Sequence, residues 1–310
     1  MEMNEKCFKK LTEHTAYFEN STNIGIIDTP EGILLVDTGN TRQEGEKALE
    51  LLKIFYPEKK LFAIMNTHSH ADHTGGNKAV KDKTNCRIYA PEFESKLIEF
   101  PEILPSIIWG GRPFKELKTP FLMTDEFANV TDIYTQDEMD FGSVKIKTIA
   151  LEGHFFDQNG LLVSEKDSSD STFFIGDALM GMSTLKKYWI PFVQDAEKYR
   201  ESVEKIENTN ATYFLPSHGD VCTQKNIHEC AENNKIATLE LEAMILKTVK
   251  NEWHTAEEIL KAAADYSGLA MKMSQYLLIG STVRSYISSL YDRKLLVCQV
   301  KDNRLLWKKV

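Results

Sequence analysis

Thr67-His68-Ser69-His70-Ala71-Asp72-His73-Thr74-Gly75-Gly76 is the stretch that decides how this 310-residue chain reads. Three of the eight histidines and one aspartate fall within six residues. From the chain's own His and Asp frequencies, a chance H-x-H-x-D-H is expected on the order of 10⁻⁴ times per chain. Imidazole nitrogens and carboxylate oxygens are preferred donors for zinc and related divalent ions. The apolar run Leu61 to Met65 just before the stretch reads as a buried strand. On extended chain beyond it, His68 and His70 point to one side because they are two residues apart. A helix opening at Thr74-Gly75-Gly76 is expected to turn Asp72 and His73 toward a second ion, the glycines allowing the tight backbone.

Working outward, β-branched and alternating runs at Asn23–Asp28, Gly32–Val36, Arg87–Ala90, Val144–Leu151, Thr172–Ile175 and Tyr213–Leu215 read as strands. Helical spacing appears at Gln43–Phe55 and Asp195–Glu207. Strands and helices alternate over roughly the first 220 residues, which implies a layered α/β body. Residues 91–129 break the pattern with prolines and aromatics, Trp109, Phe114 and Phe121 among them. A long aromatic insertion reads either as a packing cap or as a lid over a cleft. After about residue 230 three helical patterns are followed by a short hairpin. Thr255-Ala256-Glu257-Glu258 is a capping box opening the second of those helices.

Composition excludes several classes. Hydrophobic residues make up 42% and charged residues 27%, an ordinary globular balance that sets aside disorder and coiled coil. The net charge of −9 is uneven: residues 235–310 hold 12 Lys and Arg against 8 Asp and Glu, a charge of +4, which leaves −13 on residues 1–234. An acidic body repels polyphosphate backbones, so nucleic acid is a disfavoured partner. No apolar run is long enough for a transmembrane helix, so no membrane partner is expected. Met1 to Lys10 contains no apolar run, and the five cysteines form no CxxC. The expectation is a chain without a signal peptide, with reduced thiols, in a cytoplasm.

Four more motifs follow in order, each after an expected strand or at its end: Val36-Asp37-Thr38-Gly39, Gly153-His154, Phe174-Ile175-Gly176-Asp177 and Pro216-Ser217-His218-Gly219. With the histidine stretch they make roughly residues 8 to 225 resemble the metallo-β-lactamase-fold hydrolase superfamily, in its glyoxalase II-like metal-site pattern. The resemblance implies an α/β fold, a four-layer αβ/βα sandwich, over residues 1–230, with a small winged-helix-like accessory domain over 231–310. It implies two divalent ions, zinc first, with iron and manganese as alternatives. His68, His70 and His154 would hold one; Asp72, His73 and His218 would hold the other; Asp177 would bridge them. Asp37 is expected to orient a ligand through hydrogen bonds, its alternative being a plain turn-capping aspartate.

Two ions about 3.5 to 4 Å apart would supply a shared hydroxide for attack on a carbonyl or phosphorus centre. Asp72 is also expected to move the proton during catalysis. Relatives often read Gly-His-Thr/Ser-x-Gly where this chain reads Gly153-His154-Phe155-Phe156-Asp157-Gln158. Two phenylalanines there suggest an acyl or aromatic substrate group over a bare phosphate. Lys187 and Tyr188 follow Asp177 by about ten residues, where related hydrolases place substrate contacts. With Trp109 and Phe155 they are the candidate substrate-binding residues, a solvated loop being the alternative for Lys187 and Tyr188. The resulting expectation is a small-molecule ester, thioester or lactone hydrolase. An RNA or DNA phosphodiesterase and an iron-dependent oxidoreductase of the same fold are its alternatives. The basic tail is expected to pack against the acidic body or to support a homodimer.

Overall fold

The computed structural model describes residues 3–134, 138–189 and 191–310. β1 (Phe8–Lys10), β2 (Thr15–Phe18), β3 (Ile24–Thr29), β4 (Gly32–Val36), β5 (Leu61–Met65), β6 (Arg87–Ala90) and β7 (Asp132–Ile133) form a sheet in chain order. The first four strands pair antiparallel and β4 through β7 pair parallel. A second sheet has the order β13-β12-β11-β10-β9-β8, built from β8 (Glu138–Asp140), β9 (Val144–Ala150), β10 (Asn159–Glu165), β11 (Ser171–Gly176), β12 (Tyr213–Pro216) and β13 (Cys222–Thr223).

Side-chain alternation explains the layers. In β4, Leu34 and Val36 turn toward Ile146, Leu161, Val163 and Phe174 of the second sheet, while Ile33 and Leu35 turn the other way. There they meet α1 (Arg42–Phe55), whose Ala48, Leu49, Leu51 and Leu52 are buried. Each fully buried Leu or Ile contributes about 1.5–3 kcal/mol, so a strand buried on both faces fixes its register strongly. Next in the chain come the single turn α2 (Ala71–Thr74) and α3 (Asn77–Thr84), the latter packed on α1 and β5.

The insertion after β6 is more ordered than its sequence suggested, because it contains α4 (Glu92–Glu99) and α5 (Ile103–Trp109). Its prolines permit this: Pro91 caps α4, and Pro105 occupies the first turn of α5, where a backbone N–H has no helical partner anyway. Asn159–Glu165, unassigned by the sequence reading, is a central strand of the second sheet.

Covering the outer face of that sheet are α7 (Ala196–Glu207), which follows α6 (Met182–Tyr188), and the long α8 (Ile227–Thr248). Residue 230, taken as the end of the body, lies inside α8. Then follow α9 (Ala256–Ser267), α10 (Met273–Asp292) and the hairpin β14 (Leu296–Lys301) with β15 (Arg304–Lys309). The capping box is present, with Thr255 Oγ1 accepting from the Glu258 N–H and Glu258 accepting from the Thr255 N–H. α10 reaches back to the body: Leu277 packs with Ile108, Leu117 and Leu122 of the insertion, and the Thr282 hydroxyl accepts from the Val193 N–H.

Candidate metal centre

The carboxyl ends of β4, β5, β9, β11 and β12 deliver five loops to one edge of the two sheets. The turn after β5 begins its helix at Ala71, earlier than the sequence reading expected, so α2 itself carries Asp72 and His73. Gly75 and Gly76 follow that turn with φ of −60° and −86°, ordinary right-handed values. Glycine is required there by proximity instead: a Cβ on Gly75 would stand 2.1 Å from the Asn40 carbonyl oxygen, and one on Gly76 2.5 Å from that of Thr38. The loop after β4 can therefore lie directly on the histidine loop. Gly153 is needed both for its φ of +112° and because a Cβ would fall 2.1 Å from the Tyr199 nitrogen.

His68, His70 and His154 form one group of converging donors, and Asp72, His73 and His218 another; Asp177 also meets His68 and His73. Asp177 Oδ2 lies 3.4 Å from His154 Nε2 and 3.4 Å from His218 Nε2, and its Oδ1 lies 3.5 Å from His73 Nε2. One carboxylate therefore faces both groups. His218 Nε2 is 3.1 Å from Asp72 Oδ2, and His154 Nε2 is 3.0 Å from His70 Nδ1. Tetrahedral zinc with bonds of about 2.0–2.2 Å would hold its ligands about 3.3–3.5 Å apart, so these spacings suit ligands sharing an ion.

The outer nitrogens fix the tautomers. Nδ1 of His73 bonds the Asp37 carboxylate at 2.8 Å, that of His154 the Phe192 carbonyl at 2.8 Å, and that of His218 the Ser21 carbonyl at 2.7 Å. Carbonyls and carboxylates only accept, so each Nδ1 carries the hydrogen and each neutral ring turns a bare Nε2 inward. His68 Nε2, His70 Nε2, His73 Nε2 and Asp177 Oδ1 are buried without a hydrogen-bond partner. Buried polar atoms rarely go unpaired; this many in one cluster fit a site built to hold divalent metal.

Electrostatics divide the two groups. Burial holds the His68 and His70 imidazoles well below the usual histidine value, and their histidine neighbours add to it; burial lowers His154 as well. Burial also opposes charge at His73 and His218, yet the carboxylates of Asp72 and Asp177 overcome it and push both well above the usual value. Asp177 stays well below the usual carboxylate range because His218, His73 and His154 outweigh its burial. In the metal-free protein charge is therefore disfavoured on the imidazoles of one trio and favoured on His73 and His218 of the other.

Asp37 accepts from the Thr67 N–H at 2.9 Å and the Thr67 hydroxyl at 2.8 Å as well as from His73, and it sits at a left-handed φ of 61°. It stands behind the cluster, not in it. Phe155 is buried with its ring 4.4 Å from that of His70. The other candidate substrate residues lie elsewhere. Trp109 is 47% exposed and its ring meets Phe114, and among the described contacts it does not reach the cluster. Lys187 and Tyr188 are exposed at the far end of α6, the Lys187 ammonium over the Tyr188 ring at 4.7 Å. α6 does begin beside His218, whose carbonyl accepts from the Gly181 N–H, but six residues of helix span about 9 Å.

Several residues at the site were missed by the sequence reading. The Thr22 hydroxyl donates to Asp72 Oδ2, Phe192 packs on His70 and His154, and Asn66 and Asn77 tie Asp37 and Thr38 to the His73 carbonyl. Glu94 of α4 is buried behind the histidine loop and accepts from the Ser69 N–H. Asn66 and Asn77 flank the histidine stretch directly, which was a signal; Thr22, Glu94 and Phe192 come from distant segments and left none.

A two-sheet sandwich with a His/Asp cluster at one edge defines a metal-site protein of the lactamase-like class. Residues 17–218 match the family model described as "Metallo-beta-lactamase superfamily", and the chain belongs to that superfamily. A β-lactamase domain protein from Burkholderia ambifaria shares the fold with a TM-score of 0.75 at 13% identity, covering 98% of this chain and 93% of that one. A β-lactamase-like protein 2 homolog of Drosophila melanogaster is 24% identical over 205 residues, 64% of this chain and 59% of that protein. An atrochrysone carboxyl ACP thioesterase of Aspergillus fumigatus is 26% identical over 203 residues, 64% of this chain and 51% of that protein. The chain thus spans little more than half the length of these two curated relatives, and 11% of an alkylsulfatase that it also matches.

Proposed function

We propose that the chain is a hydrolase with two divalent ions, zinc foremost, acting on a carboxylic ester, thioester or lactone of a small molecule. The observation that carries this reading is the convergence of unpartnered buried donors on Asp177 beside an apolar wall of Phe155 and Phe192. His68, His70 and His154 would hold one ion, Asp72, His73 and His218 the other, with Asp177 shared. Bound there, the ions would lower the pKa of water to near 7 and polarise the substrate carbonyl. Asp72, half-buried and held by the Thr22 hydroxyl and His218, is placed to take a proton and return it to the leaving group. Phe155 and Phe192 exclude water from the His70 side and favour an acyl chain over a phosphate.

A phosphodiester would call for cations at its non-bridging oxygens. Among the described residues no Lys or Arg forms an ion pair or hydrogen bond with the cluster carboxylates, whose ionic partners are histidines. The C-terminal helices and hairpin have winged-helix-like order, but the basic residue on α10 that a reading helix would expose, Arg284, is paired with Glu257. We read this unit as a buttress for the insertion and for the Phe192 segment. The test is turnover by purified protein of a panel of thioesters, lactones and phosphodiesters, with and without chelator. Chelator-sensitive acyl hydrolysis is expected; cleavage of phosphodiesters alone would overturn the reading.

A further inference from the structure

Glu94 lies in the first turn of α4 with 0% exposure, and among the described residues no Lys or Arg forms an ion pair with it. A carboxylate in a dry interior is costly unless its oxygens are used. Both are used, on two different loops. Oε2 accepts from the Ser69 N–H at 3.0 Å, and the Ser69 side chain bonds the same carboxyl group. Oε1 accepts from the Asp157 N–H at 2.9 Å. The link to the second loop is reciprocal, since the Phe93 N–H donates to Asp157 Oδ2 at 3.0 Å.

Ser69 sits between His68 and His70, and Asp157 sits three residues beyond His154. One buried carboxylate therefore joins the loop from the first sheet carrying two donors of a trio to the loop from the second sheet carrying the third. We infer that Glu94 is a positioning residue that sets the spacing of His68 and His70 from His154, and through it the metal affinity of that trio. The inference rests on the metal-centre reading above. Glu94, its carboxyl pushed up to about 7 by burial, acts here through its two acceptor oxygens and the N–H groups of both loops that they hold, not as a fixed charge. It also gives the insertion a purpose at the site, because α4 staples both loops whatever α5 covers.

The test uses the full-length chain, cobalt(II) as probe ion and the variants Glu94→Gln and Glu94→Asp. Glutamine keeps the volume but offers one acceptor where two N–H groups must be met; aspartate keeps both oxygens and withdraws them by one methylene. Expected for Glu94→Gln is a cobalt affinity weakened about 10- to 100-fold at one of two sites, an altered visible spectrum for that site, and the other site within about twofold of wild type. A smaller loss is expected for Glu94→Asp, which also decides the matter if the glutamine variant fails to fold. Two unchanged sites in the folded variants would overturn the role of Glu94, even with a lowered melting temperature. A wild-type chain that binds no cobalt would instead overturn the metal-centre reading, and this inference with it.

Discussion

Asp177 presents one carboxylate to both donor groups, so replacing it with alanine leaves two cation sites facing each other with less shared negative charge. Asp177→Ala should lose at least one of two metal equivalents, measured by elemental analysis, together with turnover. Asp37 acts one step further out. Its loss strands the Thr67 N–H and the His73 Nδ1–H in the interior, each unmet donor costing about 1–3 kcal/mol. Asp37→Ala should therefore lower chemical-denaturation stability by about 2–4 kcal/mol, with part returned by relaxing the left-handed backbone. It should also weaken metal binding, since His73 is free to take the wrong tautomer. Full metal affinity in that variant would show that the tautomer is set elsewhere.

At the scale of elements, the insertion divides into parts with different consequences. α4 touches the histidine loops, whereas Trp109 at the end of α5 stacks edge-on with Phe114 on the outer side. Trp109→Ala should lower the melting temperature modestly and leave KM unchanged, the outcome of the packing-cap alternative and not of the lid. A raised KM in steady-state kinetics would restore Trp109 to the substrate path. The capping box of α9 is a separate, local term: Thr255→Ala should cost about 1 kcal/mol in a denaturant titration, without altering metal content, because it lies far from the cluster in the chain and its hydroxyl serves the Glu258 N–H of the same helix.

Across the whole molecule, metal and protons compete for the same atoms. In chelated protein the carboxylates raise His73 and His218 well above 6.5, so their protonation stabilises the metal-free fold fully below 6.5 and that contribution fades as pH rises through the raised values. Metal binding displaces those protons and strengthens in the same direction. The gap in melting temperature between metal-loaded and chelated protein should therefore widen as pH rises from 6 to 9; a gap independent of pH would contradict the assignment of these rings as ligands. The C-terminal unit is joined to the body through α8, whose Leu241 and Ile245 share a core with Tyr199 and Val203. The Glu242 carboxylate also pairs with Arg200 of α7 and Arg293. Deleting residues 232–310 should give insoluble or non-cooperatively melting protein. The intact chain should bind duplex DNA no better than micromolar at physiological salt, checked by a mobility-shift titration.

The sequence by itself determined the strands flanking the histidine stretch, the α1 and α7 helices, the order of the four ligand-bearing motifs and of the Asp37 motif before them, and the capping box. These are local: alternation, helical spacing and donor type are properties of a few neighbouring residues. It also marked Asp37 as a residue apart from the ligands. Tertiary structure alone decided the rest. Glu94, Thr22 and Phe192 reach the cluster from segments 25 to 122 residues away from the His70–Asp72 loop they touch, and no local pattern encodes such a meeting. The same holds for α4 and α5, whose prolines read as breakers until their places at helix starts are known, and for β10, whose Gly160 is required by the closeness of Leu151 and Phe173. Tyr188 shows the converse: an aromatic residue near a motif in sequence carries no information about distance once a helix has turned it away, and Trp109 shows that aromatic content alone does not place a residue at the site.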